Sequence, residues 1–406
     1  MKPRIALIGV SGFAGVYYED LILRAAVGSI DLAAATVINE EEVPEKCAGL
    51  RQAGCRIYRR YEDMLEAERG RIDLCIIPTG IHLHAPMTIA ALEADWNVLL
   101  EKPAAATIAE VEKMKAAEIQ SGRFVAVAYQ HMYAPETMML KRALCGGIVG
   151  EILSIKCLGL WPRFKEYYSR NDWAGRLLSK GRWVLDAPFN NALAHWLNLM
   201  IFFAGEEVLR AGTPLSLEAE LYRARQIESC DTACFRIGTE LGASIYFWVG
   251  HSCPHEIGPI MEIRGTEGSV RWAGTQIRHR DGRGERVMAE CSDSPALRRH
   301  LFDAILQRLN GVPVFSCDLD MAGRQTLISH KAFEMASIHA IGGADLSPSP
   351  ERPGEFFIRD IEQDCLRAFE EEKLWSEIPT AWAREPSQMR FDPSALMDTG
   401  LAASVI

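Results

Sequence analysis

The sequence predicts an α/β protein in two main parts. The first is built on a parallel sheet covered by helices, and the second is an α/β part with a large, mostly antiparallel open sheet. Three observations predict this. Up to about residue 125, short apolar strands alternate with amphipathic helices. After about residue 130, strand-like segments follow one another through turn residues rather than through helices. A glycine-bearing turn joins the first strand to the first helix.

In order along the chain, residues 4–8 read as a strand, 14–26 as a helix, 32–38 as a second strand and 73–77 as a third. A helix at 85–94, a strand at 97–100, a helix at 108–121 and a strand-like 124–128 complete the first part. A helix at 135–144 ends at Gly146-Gly147. Strands are then expected at 152–160, 215–224, 232–237, 243–249, 261–265, 269–273 and 277–280, interrupted by one strong helix at 190–203. A last helical stretch covers 318–338; 343–354 reads as a linker, and 358–373 as a charged helix before an irregular tail. The expected divisions are 1–126, 127–342 and 343–406.

At 406 residues, nearly half of them apolar, the chain can bury a sizeable core. A net charge of −10 with no dense Lys/Arg run argues against nucleic acid as a partner. No apolar run approaches the ~18 residues of a membrane span. Met1-Lys2-Pro3-Arg4 leads straight into a strand pattern without a leader, so an unexported, cytoplasmic protein is expected. The eleven cysteines are scattered and include no Cys-x-x-Cys, which reads as reduced thiols. His251 and His255 flank Cys253 with no third ligand at suitable spacing, so no metal is expected.

The run Ile5-Ala6-Leu7-Ile8 opens into Gly9-Val10-Ser11-Gly12-Phe13-Ala14-Gly15. A strand entering a helix through glycines is the dinucleotide-binding turn, in which the backbone approaches a pyrophosphate held on the helix N-terminus. With Gly9 as the first glycine, Ser11 stands at the second position and Ala14 at the third; serine there is a departure. The second strand ends at Val37-Ile38-Asn39, where a side chain reads the adenosine ribose. Glu40, Glu41 and Glu42 follow and would repel a 2′-phosphate, which favours NAD, with NADP as the alternative.

The strand ending at Leu100 leads into Glu101-Lys102-Pro103. A lysine at the carboxyl end of a parallel strand stands at the ligand edge of the sheet, and the following proline restricts its backbone. In isolation the tripeptide reads as a surface ion pair of Glu101 and Lys102. It is not isolated. Ile8-Gly9 with Gly12, Pro78-Thr79-Gly80 with His84, Ala90-Ala91-Leu92, and Val98 with Glu101-Lys102-Pro103 come first. Tyr129-Gln130-His131, Gly147-Ile148-Val149-Gly150-Glu151-Ile152 and Gly265-Thr266-Glu267-Gly268-Ser269 follow. In this order and spacing the chain resembles the glucose–fructose oxidoreductase / inositol dehydrogenase / rhizopine-catabolism (Gfo/Idh/MocA) family through about residues 4–205, and more loosely to about 340.

The resemblance implies a Rossmann domain followed by an α/β domain with a large open sheet. It implies NAD or NADP held by Gly9, Ser11, Gly12, Phe13, Ala14, Asn39, Pro78, Thr79, His84 and Glu101. It implies that Lys102 contacts the substrate and that the Lys102–Pro103 peptide is cis. The arginine that often follows the Tyr-Gln-His positions in that family is Met132 here. Family members also carry Asp-x-x-x-His on a later helix. Counting back from Gly205 puts His195 on that histidine, as a proton donor or acceptor, and Asn191 on the aspartate. At a spacing of four these two would share a helix face. Asp186 with Asn190 is a competing register that leaves no histidine. Asparagine can orient a hydroxyl but cannot hold an imidazolium by charge.

Before that helix, Trp161, Arg163, Tyr167, Tyr168, Arg170, Asn171 and Trp173 mix aromatic and polar groups. Such a mixture suits a polyhydroxylated ligand, and Trp161, Arg163, Tyr168, Asn171, Trp173 and Asn190 are the expected substrate contacts. The expected reaction is hydride transfer between a nicotinamide and a secondary alcohol of a sugar, inositol or related polyol, with Lys102, His195 and Asn191 catalytic. The alternatives are an NAD-dependent glycosidase of the same fold and a non-catalytic dinucleotide or sugar sensor. An exposed sheet face implies pairing with further copies, as a dimer or tetramer.

Overall fold

The structure, a computed structural model, describes residues 2–349 and 351–391; the expected tail beyond 391 lies outside the described residues. The chain begins β1 (Arg4–Ile8), α1 (Ala14–Ala26), β2 (Asp31–Thr36), α2 (Pro44–Gln52), β3 (Arg56–Tyr58), α3 (Tyr61–Ala67) and β4 (Leu74–Ile77). It continues α4 (Ile81–Glu93), β5 (Asn97–Leu100), α5 (Ile108–Ser121) and β6 (Val125–Val127). The strands form one sheet in the order β3-β2-β1-β4-β5-β6, with every pairing parallel. Strand order reverses between β1 and β4, and in such sheets ligands bind beyond the carboxyl ends of the strands at that point. The buried runs Ile5–Ile8 and Leu74–Ile77 are what a sheet covered on both faces requires.

The segment 73–77, expected as the third strand, is the fourth. β3 escapes a pattern search because it is a three-residue, half-exposed edge. Its polar ends are tied to buried Glu68, from Arg56 at 2.5 Å and from the Tyr58 hydroxyl at 2.6 Å.

Helix α5 carries its boundaries in its sequence. Thr107 and Glu110 form a capping box, and Gly122 ends the helix at φ 64°. Inside its last turn, burial pushes the Glu118 carboxyl up to about 7, while it accepts the Val125 N–H at 2.7 Å. A carboxyl raised in the folded state favours folding while protonated, and that contribution is lost as pH rises from the unfolded value, about 4.3, through 7. Glu118→Gln keeps the acceptor and removes the titration. Its stability relative to the parent is therefore expected to increase between pH 4.5 and 7.5, by at most ~1.4 kcal/mol per pH unit. Urea melts at both pH values check this; a pH-independent difference would refute it.

Beyond Ala134 come α6 (Pro135–Cys145), β7 (Ile152–Leu160), α7 (Lys165–Ser169), the short pair β8 (Leu178–Ser179) and β9 (Arg182–Trp183), and α8 (Ala194–Phe203). Then follow β10 (Pro214–Arg223), β11 (Thr232–Thr239), β12 (Ser244–Gly250), β13 (Ile257–Gly265), β14 (Gly268–Ala273), β15 (Gln276–Asp281) and β16 (Gly284–Glu290). The described chain closes with α9 (Ser294–Leu309), α10 (Leu319–Met335), β17 (Ile338–Ala340), β18 (Leu346–Pro348), β19 (Phe356–Ile358), α11 (Ile361–Glu371) and β20 (Ser387–Arg390). The large sheet runs β16-β15-β14-β13-β7-β12-β11-β10-β17, with β20 added on β10. It is mostly antiparallel; β7 with β12 and β10 with β17 are the parallel pairs.

Strand alternation gives this sheet two apolar faces. On one, Phe189 packs on Phe235 and Phe333, and Trp196 of α8 meets Trp272 edge-on at 5.4 Å. The end of α8 is capped from inside: Lys141, fully buried, donates to the carbonyls of Phe202 (2.6 Å) and Gly205. An ammonium there meets the carbonyls that a helix leaves without partners.

The other face is partly covered by the chain itself. Leu158, Leu160, Tyr222, Cys234 and Trp248 point into a core completed by Ile361, Cys365, Phe369, Trp375 and Trp382. Spacings of four and eight along α11 put Ile361, Cys365 and Phe369 on one stripe. Buried Lys156 of β7 donates to the Phe369 carbonyl at 3.1 Å, and Arg264 pairs with Glu372 at 2.7 Å, so two cations hold the end of α11. Residues 343–354, expected as a linker, include β18, which pairs with β19. Farther along the sheet the same side is charged, with Arg271–Glu262 and Arg278–Glu285 each at 3.1 Å. The chain's own carboxyl-terminal segment thus covers the part of this face formed by β7, β12, β11 and β10.

Contacts divide the chain into two compact units. The first holds the described residues through Ala134 with Leu178–Val184 and Asp293–Thr326; the second holds Pro135–Leu177, Leu185–Ser292 and the described residues from Leu327 onward. These limits differ from 1–126 and 127–342 because α9, which the sequence reading passed over, joins the first unit. Its Phe302 meets Tyr17 at 5.7 Å, and its Asp303 pairs with Arg24 at 2.9 Å. No helix among the described residues is long and apolar enough to cross a membrane.

Candidate active site

In the first unit, β1 ends in the glycine turn. Gly9 has φ 90° and Gly12 φ 56°, a region in which side chains are strained. The Gly9 N–H donates to Thr36 of β2 at 3.0 Å, which fixes the turn to the sheet. At Gly12 a Cβ would meet nothing within 4 Å, so the turn faces open space. Ser11, Gly12 and Phe13 are exposed and Ala14 is buried as α1 begins. Lys46 of α2 donates to the Val10 carbonyl at 2.6 Å and brings a cation to the same turn. Asn39 caps the short turn after β2 and donates to Glu42 at 2.7 Å.

At the end of β4, Pro78 is buried and the Thr79 hydroxyl is buried with no protein partner among the described residues. A left-handed glycine turn at a helix N-terminus and an orphaned hydroxyl at the next strand end fit a dinucleotide. The residues that would hold it are Gly9 to Ala14, Asn39, Pro78 and Thr79.

Glu101-Lys102-Pro103 follows β5, and the Lys102–Pro103 peptide is cis. Glu101 is buried; it accepts the Tyr17 hydroxyl of α1 and the Lys102 N–H at 2.9 Å. Burial pushes its carboxyl up, and the neighbouring Lys102 charge opposes that. Tyr17 is pushed well up by burial and by Glu101, so it remains a donor. Lys102 itself is half-buried.

His84 of α4 links this loop to the turn after β4, with Nδ1 2.8 Å from the Pro103 carbonyl and Nε2 3.1 Å from the Thr79 carbonyl. Burial lowers its pKa to about 4, and Lys102 adds to the effect. A neutral ring has one N–H, and the shorter contact assigns it to Nδ1. The geometry makes His84 a brace between the ends of β4 and β5. Met132, at the position expected to lack an arginine, is fully buried.

In the second unit, residues 188–193 form turns and α8 starts only at Ala194. Asn191 therefore stands before the helix, not one turn down its face from His195 as expected. The cause is a wide turn in which Leu193 N–H donates to Pro188 at 2.8 Å. Exposure still groups the two: from Val184 to Ala204, only Asn191, Ala192 and His195 are not buried.

The carboxylate absent from position 191 comes from Asp186, set aside in the sequence as a competing register. Asp186 Oδ1 accepts the Asn191 amide at 2.8 Å, and Oδ2 accepts the Gly175 N–H at 2.6 Å. The Tyr167 hydroxyl accepts from Asn191 at 3.3 Å. Asn190 is fully buried and donates to the Leu185 carbonyl at 3.0 Å, supporting a residue at φ 52°.

Of the other expected contacts, Trp161 donates its indole N–H to Gly258 at 3.3 Å. Asn171 spends its side-chain oxygen on the N–H groups of Trp173 and Ala174. The Tyr168 ring meets Tyr167 edge-on at 5.1 Å. Arg163 lies 5.2 Å from the centre of the Tyr167 ring. His251 behind them contacts the Trp161 carbonyl at 2.8 Å; burial, with Arg163 beside it, lowers its pKa to about 3. Tyr17, Asp186 and Tyr167 are the site residues that the sequence reading did not select. Asp186 left a signal as an acid in an apolar stretch near Asn191, and Tyr167 as part of the aromatic and polar run before the helix; Tyr17 left none. Among the described residues no group of three or more His, Cys, Asp or Glu side chains is placed to hold a metal ion.

Residues 3–129 match the family described as "Oxidoreductase family, NAD-binding Rossmann fold", and residues 137–271 match the GFO/IDH/MocA C-terminal domain. Among curated proteins, inositol 2-dehydrogenase 1 of Saccharopolyspora erythraea is 23% identical over 211 residues, covering 52% of this chain and 57% of that one. Inositol 2-dehydrogenase 4 of the same organism is 29% identical over 155 residues, 38% of this chain and 44% of that one. The chain thus spans about half the length of the curated relatives it matches.

Among solved structures, the WlbA dehydrogenase of Bordetella pertussis in complex with NADH and UDP-GlcNAcA is 22% identical, with a TM-score of 0.67 over 82% of this chain and 97% of that one. An oxidoreductase of Agrobacterium radiobacter in complex with NAD+, L-tartaric acid and magnesium is 17% identical, with a TM-score of 0.66 over 82% and 96%. Both show the shared fold. With its two domain matches in consecutive order and the fold they require, the chain belongs to the GFO/IDH/MocA oxidoreductase family.

Proposed function

We propose that the protein is an NAD-dependent oxidoreductase acting on a secondary alcohol of a polyhydroxylated compound of the sugar or inositol class. The observation that carries this reading is Lys102, half-buried after β5 in a loop held by Glu101, Tyr17 and His84. The bound nicotinamide would supply the hydride acceptor. Lys102 holds or releases the proton at the reacting oxygen, which fixed positioning makes efficient. His195 is the second proton-transfer group, and Asn191, held by Asp186, orients a substrate hydroxyl.

Relatives named inositol 2-dehydrogenase support the substrate class. The carboxylate of Glu42 beside Asn39 supports NAD over NADP. All eleven cysteines are free and nine are buried, which supports a reducing, cytoplasmic setting.

The test is a screen of sugars and polyols with NAD and with NADP, read at the absorbance of the reduced nicotinamide. Cofactor binding without turnover of any polyol would leave the sensor reading in its place. Cleavage of a nitrophenyl glycoside with no net reduced cofactor would establish the glycosidase.

A further inference from the structure

The aromatic wall of the second unit carries more positive charge than a neutral polyol needs. Arg163 and Arg170 both pack on Tyr167, with their guanidinium carbons 5.2 Å and 3.5 Å from its ring centre. Arg163 donates to the Pro162 carbonyl at 3.0 Å and Arg170 to the Tyr167 carbonyl at 2.9 Å, and Arg170 also contacts the Tyr167 side chain. Neither forms an ion pair with a carboxylate among the described residues. Some arginines of the unit do, Arg225 with Glu355, Arg236 with Glu218 and Arg264 with Glu372, while Arg223 and Arg384 likewise donate to main-chain carbonyls. Asp186, which shares Asn191 with the Tyr167 hydroxyl, already accepts from Gly175 and Asn191.

The wall is also rigid at its root. The N–H groups of Trp161 and Arg163 donate to the carbonyls of Gly250 (2.9 Å) and His251 (3.1 Å) at the end of β12. Two like charges gathered at one ring repel each other, and an anion bound beside them offsets that cost. Their planar donors match carboxylate and phosphate oxygens two at a time. The Tyr167 hydroxyl meanwhile reaches Asn191, the residue read as orienting a substrate hydroxyl.

We propose that Arg163 and Arg170 bind an anionic group of the substrate, which is a polyhydroxylated compound bearing a carboxylate or phosphate rather than a neutral polyol. This rests on the reading of Asn191 and its surroundings as the substrate side of an oxidoreductase.

The test measures binding separately from turnover. The full chain, saturated with NADH, is titrated calorimetrically with matched sets: hexoses, the corresponding hexuronates and aldonates, and the hexose 6-phosphates. At least one acid or phosphate is expected to bind roughly tenfold or more tighter than its neutral parent, as loss of a charged hydrogen-bonded contact implies. Arg170→Gln and Arg163→Gln are each expected to abolish most of that preference. Tighter carboxylates identify a sugar acid, and tighter phosphates a sugar phosphate.

Equal binding of neutral and anionic members, binding of neutral members alone, or no binding of any anionic member overturns the inference. So does a preference that survives both substitutions. Binding that follows the expected pattern without reduction of NAD by any member would instead refute the oxidoreductase reading and leave the anion site standing.

Discussion

Lys102→Met is expected to lower kcat/KM by a factor on the order of 10² to 10⁴, the range for removal of a positioned general acid or base. Most of the loss should fall on kcat, because the group acts on charge that develops in the transition state. The fold should survive, since Lys102 is half-buried and the loop keeps its other ties. Those ties are the Tyr17 hydroxyl on Glu101 and His84 on the Pro103 carbonyl. The competing account, a surface ion pair, predicts the opposite pattern: a stability change of about 0–1 kcal/mol and unchanged kcat. Steady-state kinetics on the best substrate from the screen, with a thermal melt alongside, separates the two. A variant within a few-fold of the parent enzyme would remove Lys102 from the chemistry.

Trp375→Ala should destabilise the second unit by about 3–5 kcal/mol, the usual cost of emptying a buried aromatic site. Trp375 is fully buried, with ring centres 5.8 Å from Tyr222 of β10 and 5.1 Å from Trp382. It is part of what covers the sheet face carrying Leu158, Leu160 and Trp248. Were residues 343–391 a linker and tail, the change would lie within about 0.5 kcal/mol, as for exposed positions. Denaturant unfolding checks this directly. Light scattering at intermediate denaturant adds a second reading, because an uncovered apolar sheet face is expected to associate.

Much of the first unit was legible because its evidence is local. The strand 97–100 and the helix 108–121 fall where the apolar pattern places them, and the Thr107–Glu110 capping box of the structure is the local reason for the helix start. The short edge β3 was not legible, because three half-exposed residues carry no period. In the second unit, Asn191 and His195 were picked out by spacing, but the spacing was attributed to a helix that starts only at Ala194. Asp186 was seen and set aside because a register along one helix excludes it. Only a chain that turns between Leu185 and Leu193 can return its carboxylate to Asn191 at 2.8 Å.

By itself, then, the sequence determined the parallel nucleotide-binding sheet, the glycine turn, the Glu101-Lys102-Pro103 loop and the family to which they belong. Each rests on residues adjacent in the chain or on a short repeat, and such signals need no knowledge of distant partners. Tertiary structure alone decided what those residues touch. It decided that Tyr17 holds Glu101, that Asp186 holds Asn191, and that two arginines meet on Tyr167. It also decided that part of one face of the large sheet is covered by the chain's own carboxyl-terminal segment. Some of these contacts join residues far apart in sequence, as Tyr17 with Glu101, and others depend on how a local turn runs, as Asp186 with Asn191; the energies of both depend on burial and direction, which become defined only when the chain has folded.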